Sequence, residues 1–210
     1  MRVLNNQIHT KLEQLHHLSD RDTANMFKHL AKGIFKKLQP EDMQTTYMAI
    51  GKEDGMAMYQ QVLDQGCKHI VEYGTSFGIS TLYLAAAAAQ TGGKVITSEL
   101  IPSKAAVAQQ NFKDAGAAHL IEVRVGDALE TLSTLDQPVD YFFLDGWAEI
   151  NIPLLKALEA QFTDGALVRL DNANFPSSKG TKRYLRSHSQ FDILQDKRGN
   201  RTFEAIYRWG

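Results

Sequence analysis

Apolar positions recur at helical spacing through the first third of the chain. Leu4, Ile8, Leu12 and Leu15 form one stripe, and Phe27, Leu30, Ala31, Ile34 and Leu38 form a second. Asp20 and Asp22 lie where a helix N-terminus favours carboxylates, so two helices are expected, the second stopped at Gln39-Pro40. A third helix is predicted from about Gly55 to Gln65, with Gly66 as its C-terminal stop. Beyond Gly66 short β-rich runs alternate with helical patterns: KHIVEY (68–73), KVITSE (94–99), IEVRV (121–125), DYFFLD (140–145) and ALVRLD (166–171). After the second run Pro102 opens a helix, Ala105, Ala108, Phe112 and Ala115 share its inner face, and Gly116 ends it. Such alternation predicts right-handed βαβ units and an α/β fold with a mostly parallel sheet. The tail departs from it. FDILQD (191–196) and TFEAIYRW (202–209) flank the turn KRGNR, which predicts an antiparallel hairpin at the sheet edge. The expected organisation is an N-terminal helical extension over 1–65 and an α/β unit over 66–210.

Composition narrows the function classes. Of 210 residues, 43% are hydrophobic and 22% charged, a globular mix, and the net charge of -1 offers no basic excess for nucleic acid or an anionic membrane. The single cysteine, Cys67, excludes an internal disulfide and suits a reducing compartment. No run is apolar enough for a signal peptide or a membrane span, so a cytoplasmic protein is expected.

The candidate chemistry gathers at the ends of the β-rich runs, where open α/β sheets bind ligands. The first run ends in Glu72 and enters Gly74-Thr-Ser76-Phe-Gly78, a tight turn that either approaches a ligand closely or only joins strand to helix. The dinucleotide pattern Gly-x-Gly-x-x-Gly fails because Ser76 holds its middle position, which disfavours a pyrophosphate cradle and a nicotinamide enzyme. Glu99 ends the second run and can accept both hydroxyls of a ribose, or serve the following helix N-terminus. Asp127 follows the third and can accept from an adenine amino group, or cap a helix. Together these three ends describe an adenosine site. Asp145, Asp171 and Asn172 end the fourth and fifth runs and make a hard oxygen set suited to Mg²⁺ or a similar divalent cation. Trp147 can wall an aromatic substrate or plug the core. Arg169 stands inside an otherwise apolar strand and needs a partner that the sequence does not name.

In order and spacing, IVEYGTSFGIS, VITSE, VGDALETL, FFLDGWAE and LVRLDNA resemble the metal-dependent class I O-methyltransferases, of which the catechol O-methyltransferases are the best-known group. The resemblance implies a Rossmann-like methyltransferase fold and S-adenosylmethionine as cofactor. It places Ile50, Glu72, Gly74, Ser76, Gly78, Ser80, Glu99, Asp127, Ala128 and Asp145 around that cofactor, with Ile50 opening a loop, 50–55, that passes over it. It also implies a divalent metal on Asp145, Asp171 and Asn172, and a small catechol-like or other phenolic acceptor. One departure matters: the family's Asp-His-Trp-Lys carries a lysine base, whereas this chain reads Asp145-Gly146-Trp147-Ala148. Either the metal alone acidifies the hydroxyl or another lysine serves, Lys52 being the candidate. The rival readings are a metal-independent methyltransferase on another nucleophile and a non-catalytic S-adenosylmethionine-binding protein. The apolar N-terminal helices are available for a homodimer.

Overall fold

A computed structural model describes residues 4–30, 50–196 and 199–210, with the side chains of 22–30 left aside. Seven strands form one sheet in the order β3-β2-β1-β4-β5-β7-β6. Their ranges are β1 His69–Tyr73, β2 Lys94–Glu99, β3 Ile121–Val125, β4 Val139–Leu144, β5 Phe162–Leu170, β6 Phe191–Gln195 and β7 Phe203–Tyr207. The first five are mutually parallel, and β7 runs antiparallel to both β5 and β6, as the tail pattern predicts. The helices are α1 Asn6–Leu30, α2 Lys52–Gln65, α3 Ile79–Thr91, α4 Pro102–Asp114, α5 Ala128–Thr131, α6 Ala148–Leu158 and α7 Lys179–Ser187.

Alternate residues of each strand feed two cores. Ile70, Val95, Tyr141, Phe143 and Leu167 pack under α1 to α4 on one face. Val71, Phe142, Leu144, Val168 and Leu170 pack under α5 to α7 on the other. Strands buried on both faces explain the near-continuous apolar runs. The five-alanine segment sits in α3, whose residues 79–88 are all buried, and its small side chains let α2 and the sheet approach closely.

Two expectations change at the N-terminus. The expected break at Asp20 and Asp22 is absent, because α1 is continuous from Asn6 to Leu30. Ala31, Ile34, Leu38 and the Gln39-Pro40 stop lie outside the described residues, as do the side chains of Phe27 and Leu30. The first stripe, Leu4, Ile8, Leu12 and Leu15, is buried in the chain's own core and is therefore spent within the molecule. The third helix starts at Lys52 rather than Gly55, so residues 52–55 are its first turn, where Glu53 and Asp54 favour the helix dipole. Only Ile50 and Gly51 remain of the expected loop. Among the described residues no helix is long and apolar enough to cross a membrane.

Candidate functional site

Parallel register aligns the strand ends. Tyr73 pairs with Ser98 and with Leu144, Glu99 with Val125, and Leu144 with Leu170. The residues that follow each strand therefore share one edge of the sheet, and the chain order reverses there between β1 and β4, the crevice position of open α/β sheets.

The β1 turn is held in a conformation few residues adopt. Gly74, Ser76 and Gly78 have φ of 104°, 49° and 86°. A Cβ on Gly74 would stand 2.7 Å from the Asp145 carbonyl oxygen, so glycine is required for the β1 and β4 ends to meet. Gly74 and Thr75 N–H groups donate to the Ser98 carbonyl at 3.1 and 3.2 Å, tying the turn to β2. The Ser76 N–H donates to Glu99 Oε2 at 2.7 Å, and the Ile101 N–H to Oε1 at 2.9 Å. Glu99 thus both braces the turn and serves the start of α4, and each carboxylate oxygen keeps capacity for a further donor. Ser80 opens α3 and is buried, as is Ala128 at the start of α5. Asp127 caps α5 by accepting from the Leu129 N–H at 2.8 Å. Ile50 is buried against the core just before α2.

Glu72 is the unusual acid of this group. It is fully buried, and its Oε2 accepts from the Thr81 and Thr97 hydroxyls at 2.5 and 2.6 Å. Its Oε1 has no partner among the described residues. Burial pushes its carboxyl up to about 7, against the pull of the Ser80, Thr81 and Thr97 hydroxyls. A buried oxygen without a donor costs free energy unless a ligand supplies one. Exposed apolar side chains lie along the same edge: Leu100 just after Glu99, Val125 at the end of β3, Trp147 after β4 and Phe175 after β5. An acid at the β2 end, an orphaned buried carboxylate oxygen at the β1 end and a strained turn between them fit the nucleoside and charged parts of S-adenosylmethionine.

The β4 and β5 ends carry the second half of the site. Asp145 Oδ1 accepts from the Asn172 amide nitrogen at 3.0 Å, and Asn172 itself has φ of 55°. Desolvation first, and then the neighbouring charge of Asp171, raises the Asp145 carboxyl well above the ordinary carboxylate range, while Arg201 opposes that rise. Asp171 is buried and takes a two-pronged ion pair from Arg201: Nε to Oδ1 at 2.9 Å and Nη2 to Oδ2 at 2.7 Å. Arg201 belongs to the β6–β7 turn, and its carbonyl accepts from the Ala173 N–H at 2.7 Å, which fastens that turn over the β5 end. The oxygen set expected from the sequence does converge, but it does not fit a divalent cation as arranged. Both Asp171 oxygens hold a guanidinium, and Asn172 turns a donor, not its carbonyl, towards Asp145. Among the described residues no cluster of three His, Cys, Asp or Glu side chains could hold a metal ion.

Trp147 stands at the N-cap of α6 just past the β4 end and is 41% exposed, so it does not plug the core. Its N–H donates to the Tyr73 hydroxyl at 3.0 Å. The Tyr73 ring lies where a side chain at 146 would go, 2.2 Å from a built Cβ, which explains Gly146. Lys52 is not brought to this group: its ammonium pairs with Glu13 of α1 at 2.6 Å and is half exposed. Lys182, Arg183 and Arg186 line the outer face of α7 with Lys179, and Arg186 pairs with Asp196.

Sequence reasoning missed three contributors. In the sequence Arg201 reads only as part of a turn, and Tyr73 only as a strand residue. Lys104 was unnoticed, yet it is buried, lies 3.5 Å from the Ser76 hydroxyl and sits over the Phe77 ring; desolvation lowers its pKa and Glu99 opposes that. A lysine on the inner face of α4, one residue before Ala105, was the available signal.

Comparison with known proteins bears on the family and the fold. A family described as a methyltransferase domain matches residues 71–173. A catechol O-methyltransferase from Mycobacterium tuberculosis is 39% identical over 106 residues, covering 50% of this chain and 48% of that protein. One from Niastella koreensis is 31% identical over 154 residues, covering 65% of this chain and 69% of that protein. The chain thus matches about half the length of the first relative and somewhat more than two thirds of the second. Among solved structures, an O-methyltransferase from Bacillus cereus in complex with SAH superposes with a TM-score of 0.69 at 20% identity, covering 92% of this chain and all of that one, which bears on the fold alone. By the Niastella relative, the matched domain and the strand order together, the chain belongs to the catechol O-methyltransferase-like family of class I S-adenosylmethionine-dependent O-methyltransferases.

Proposed function

We propose that this chain transfers the methyl group of S-adenosylmethionine to a hydroxyl of a small catechol-like or other phenolic acceptor. The observation that carries the reading is the single edge at which a buried carboxylate with an orphaned oxygen, a strained glycine turn and a second acid come together. Bound there, S-adenosylmethionine supplies an electrophilic methyl group on a sulfonium sulfur. Glu99 accepts the ribose hydroxyls, Asp127 and the start of α5 border the adenine, and Glu72, once ionised, offers negative charge to the cofactor's cationic groups. The strained turn from Gly74 to Ser76 lets backbone lie against the ligand. Trp147 and Phe175 are the exposed aromatic side chains beside Asp145, and they suit a flat aromatic acceptor. The curated relatives named as catechol O-methyltransferases support that acceptor class.

The chain's own work is positioning and exclusion of water, so that the acceptor oxygen meets the methyl carbon without reorganisation. Ala148 carries no proton acceptor, and the pairing of the Lys52 ammonium with Glu13 argues against Lys52 as the base. Asp145 is the group placed for it: it projects from the end of β4, held by Asn172, at the point where the β1 and β4 ends touch. Calorimetric titration with S-adenosylmethionine and its demethylated product tests the cofactor half of the proposal. Saturable one-to-one binding of both, lost in a Gly74→Val variant that remains folded, is the expected result. Absence of binding by the wild-type chain would remove the proposal altogether.

A further inference from the structure

The β4 and β5 ends meet, with the Asp171 N–H on the Leu144 carbonyl at 2.9 Å and the Asn172 amide nitrogen on Asp145 Oδ1 at 3.0 Å, so two carboxylates stand together at one point of the sheet edge. Such a pair needs a cation. In the metal-dependent enzymes that this chain resembles, a divalent ion would meet that need. Here a side chain already does. Arg201 reaches Asp171 from the β6–β7 turn with two hydrogen bonds, 2.9 Å from Nε and 2.7 Å from Nη2, in the paired geometry that suits guanidinium and carboxylate. The contact is anchored at both ends. Asp171 is fixed at the end of a central strand with its backbone N–H on the Leu144 carbonyl at 2.9 Å, and Arg201 is fixed by its own carbonyl on the Ala173 N–H at 2.7 Å. Asn172 adds a donor to the other carboxylate at 3.0 Å. A divalent ion entering between Asp145 and Asp171 would have to displace the guanidinium, reverse the Asn172 amide and bear the repulsion of a fixed positive charge.

We propose that Arg201 is the resident cation of the Asp145–Asp171 site, standing in the place a divalent metal takes in the enzymes this chain resembles. The inference rests on the methyltransferase reading for its meaning, but its test does not need turnover. Mn²⁺ is titrated into the 210-residue chain and followed by electron paramagnetic resonance, for wild type, Asp171→Asn, Arg201→Gln, Arg201→Lys and Arg201→Gln/Asp171→Asn. The wild type and Arg201→Lys should show no stoichiometric site. Arg201→Gln should bind Mn²⁺ about tenfold more tightly or better, since it removes the competing charge while leaving a neutral polar side chain, and the added Asp171→Asn change should abolish that gain. Two results would overturn the proposal: a stoichiometric Mn²⁺ site in the wild type that Asp171→Asn removes, or a Mn²⁺ affinity unchanged by Arg201→Gln in a chain whose circular dichroism stays native. Should Arg201→Gln fail to fold, the wild type with Asp171→Asn still tests the proposal, because a stoichiometric site that this change removes would overturn it. Failure of the wild type to bind S-adenosylmethionine would count against the methyltransferase reading alone, because the Mn²⁺ signal reports Arg201 independently.

Discussion

Glu72 and Glu99 are both acids at strand ends, yet their surroundings give them different work. Glu99 spends its two oxygens on the N–H groups of Ser76 and Ile101, so it shapes the turn as well as facing it. Glu99→Ala is expected to weaken S-adenosylmethionine binding by about 1.5–3 kcal/mol, the worth of charge-assisted hydrogen bonds, and calorimetry checks this. Glu72 is desolvated, and its carboxyl rises from 4.5 to about 7. The folded chain therefore keeps a proton that the unfolded chain has already released. That contribution to stability is complete below about pH 4.5 and is lost as pH rises through 7, a change of about 3 kcal/mol. Glu72→Gln should thus gain on the wild type between pH 5 and pH 8 in urea denaturation, and an equal pH slope in both would show that Glu72 does not titrate this way. For Lys52→Ala the expectation is a turnover change far below the ~10²-fold that loss of a general base costs, because Glu13 holds that ammonium. At this scale the sequence was legible where the chemistry is local to a strand end, as at Glu72, Glu99 and Asp145. It was silent on Arg201, whose partner Asp171 lies 30 residues away and is reached only once the tail hairpin has folded back.

The elements explain the arginine that looked out of place. Arg169 lies on the α2 side of β5, opposite Glu204 of β7 in register, and it bonds to that carboxylate and to Gln61 and Asp54 of α2. Gln61 also donates to Glu204 at 2.8 Å and accepts from the Tyr141 hydroxyl at 3.1 Å. A buried polar network thereby fastens α2, whose first turn directly follows Ile50, to the middle of the sheet. Removing one partner leaves an uncompensated buried charge. Arg169→Met is expected to destabilise the fold by about 3–5 kcal/mol, and Arg169→Met with Glu204→Met to recover most of that loss, as measured by denaturant unfolding. Additive losses in the double variant would dissolve the pairing. The alternation of strands and helices, the Pro102 start and the tail hairpin were readable because each is set by local periodicity and punctuation. The continuity of α1 across Asp20 and Asp22 was not, because Leu12 and Leu15 are buried against the core and tertiary packing outweighs a local start signal. The partner of Arg169 was invisible for another reason: it depends on the register of an antiparallel strand that enters between β5 and β6.

Across the whole molecule, one sheet edge carries the functional argument. Its parallel strands bring the acids of β1, β2 and β4 together, and its antiparallel tail delivers Arg201 to the β5 end. The Niastella relative and the matched domain place the chain in its family, and the structure adds an Asp171–Arg201 ion pair beside Asp145 at the β4 and β5 ends. The most direct measurement of the central claim is transfer of a labelled methyl group from S-adenosylmethionine to a panel of catechols and simple phenols by the purified chain. The account predicts labelled O-methyl product from at least one phenolic acceptor, formed by the wild type and lost in Asp145→Asn. Saturable cofactor binding with no labelled product from any phenol would contradict it and make the chain a binding protein for S-adenosylmethionine.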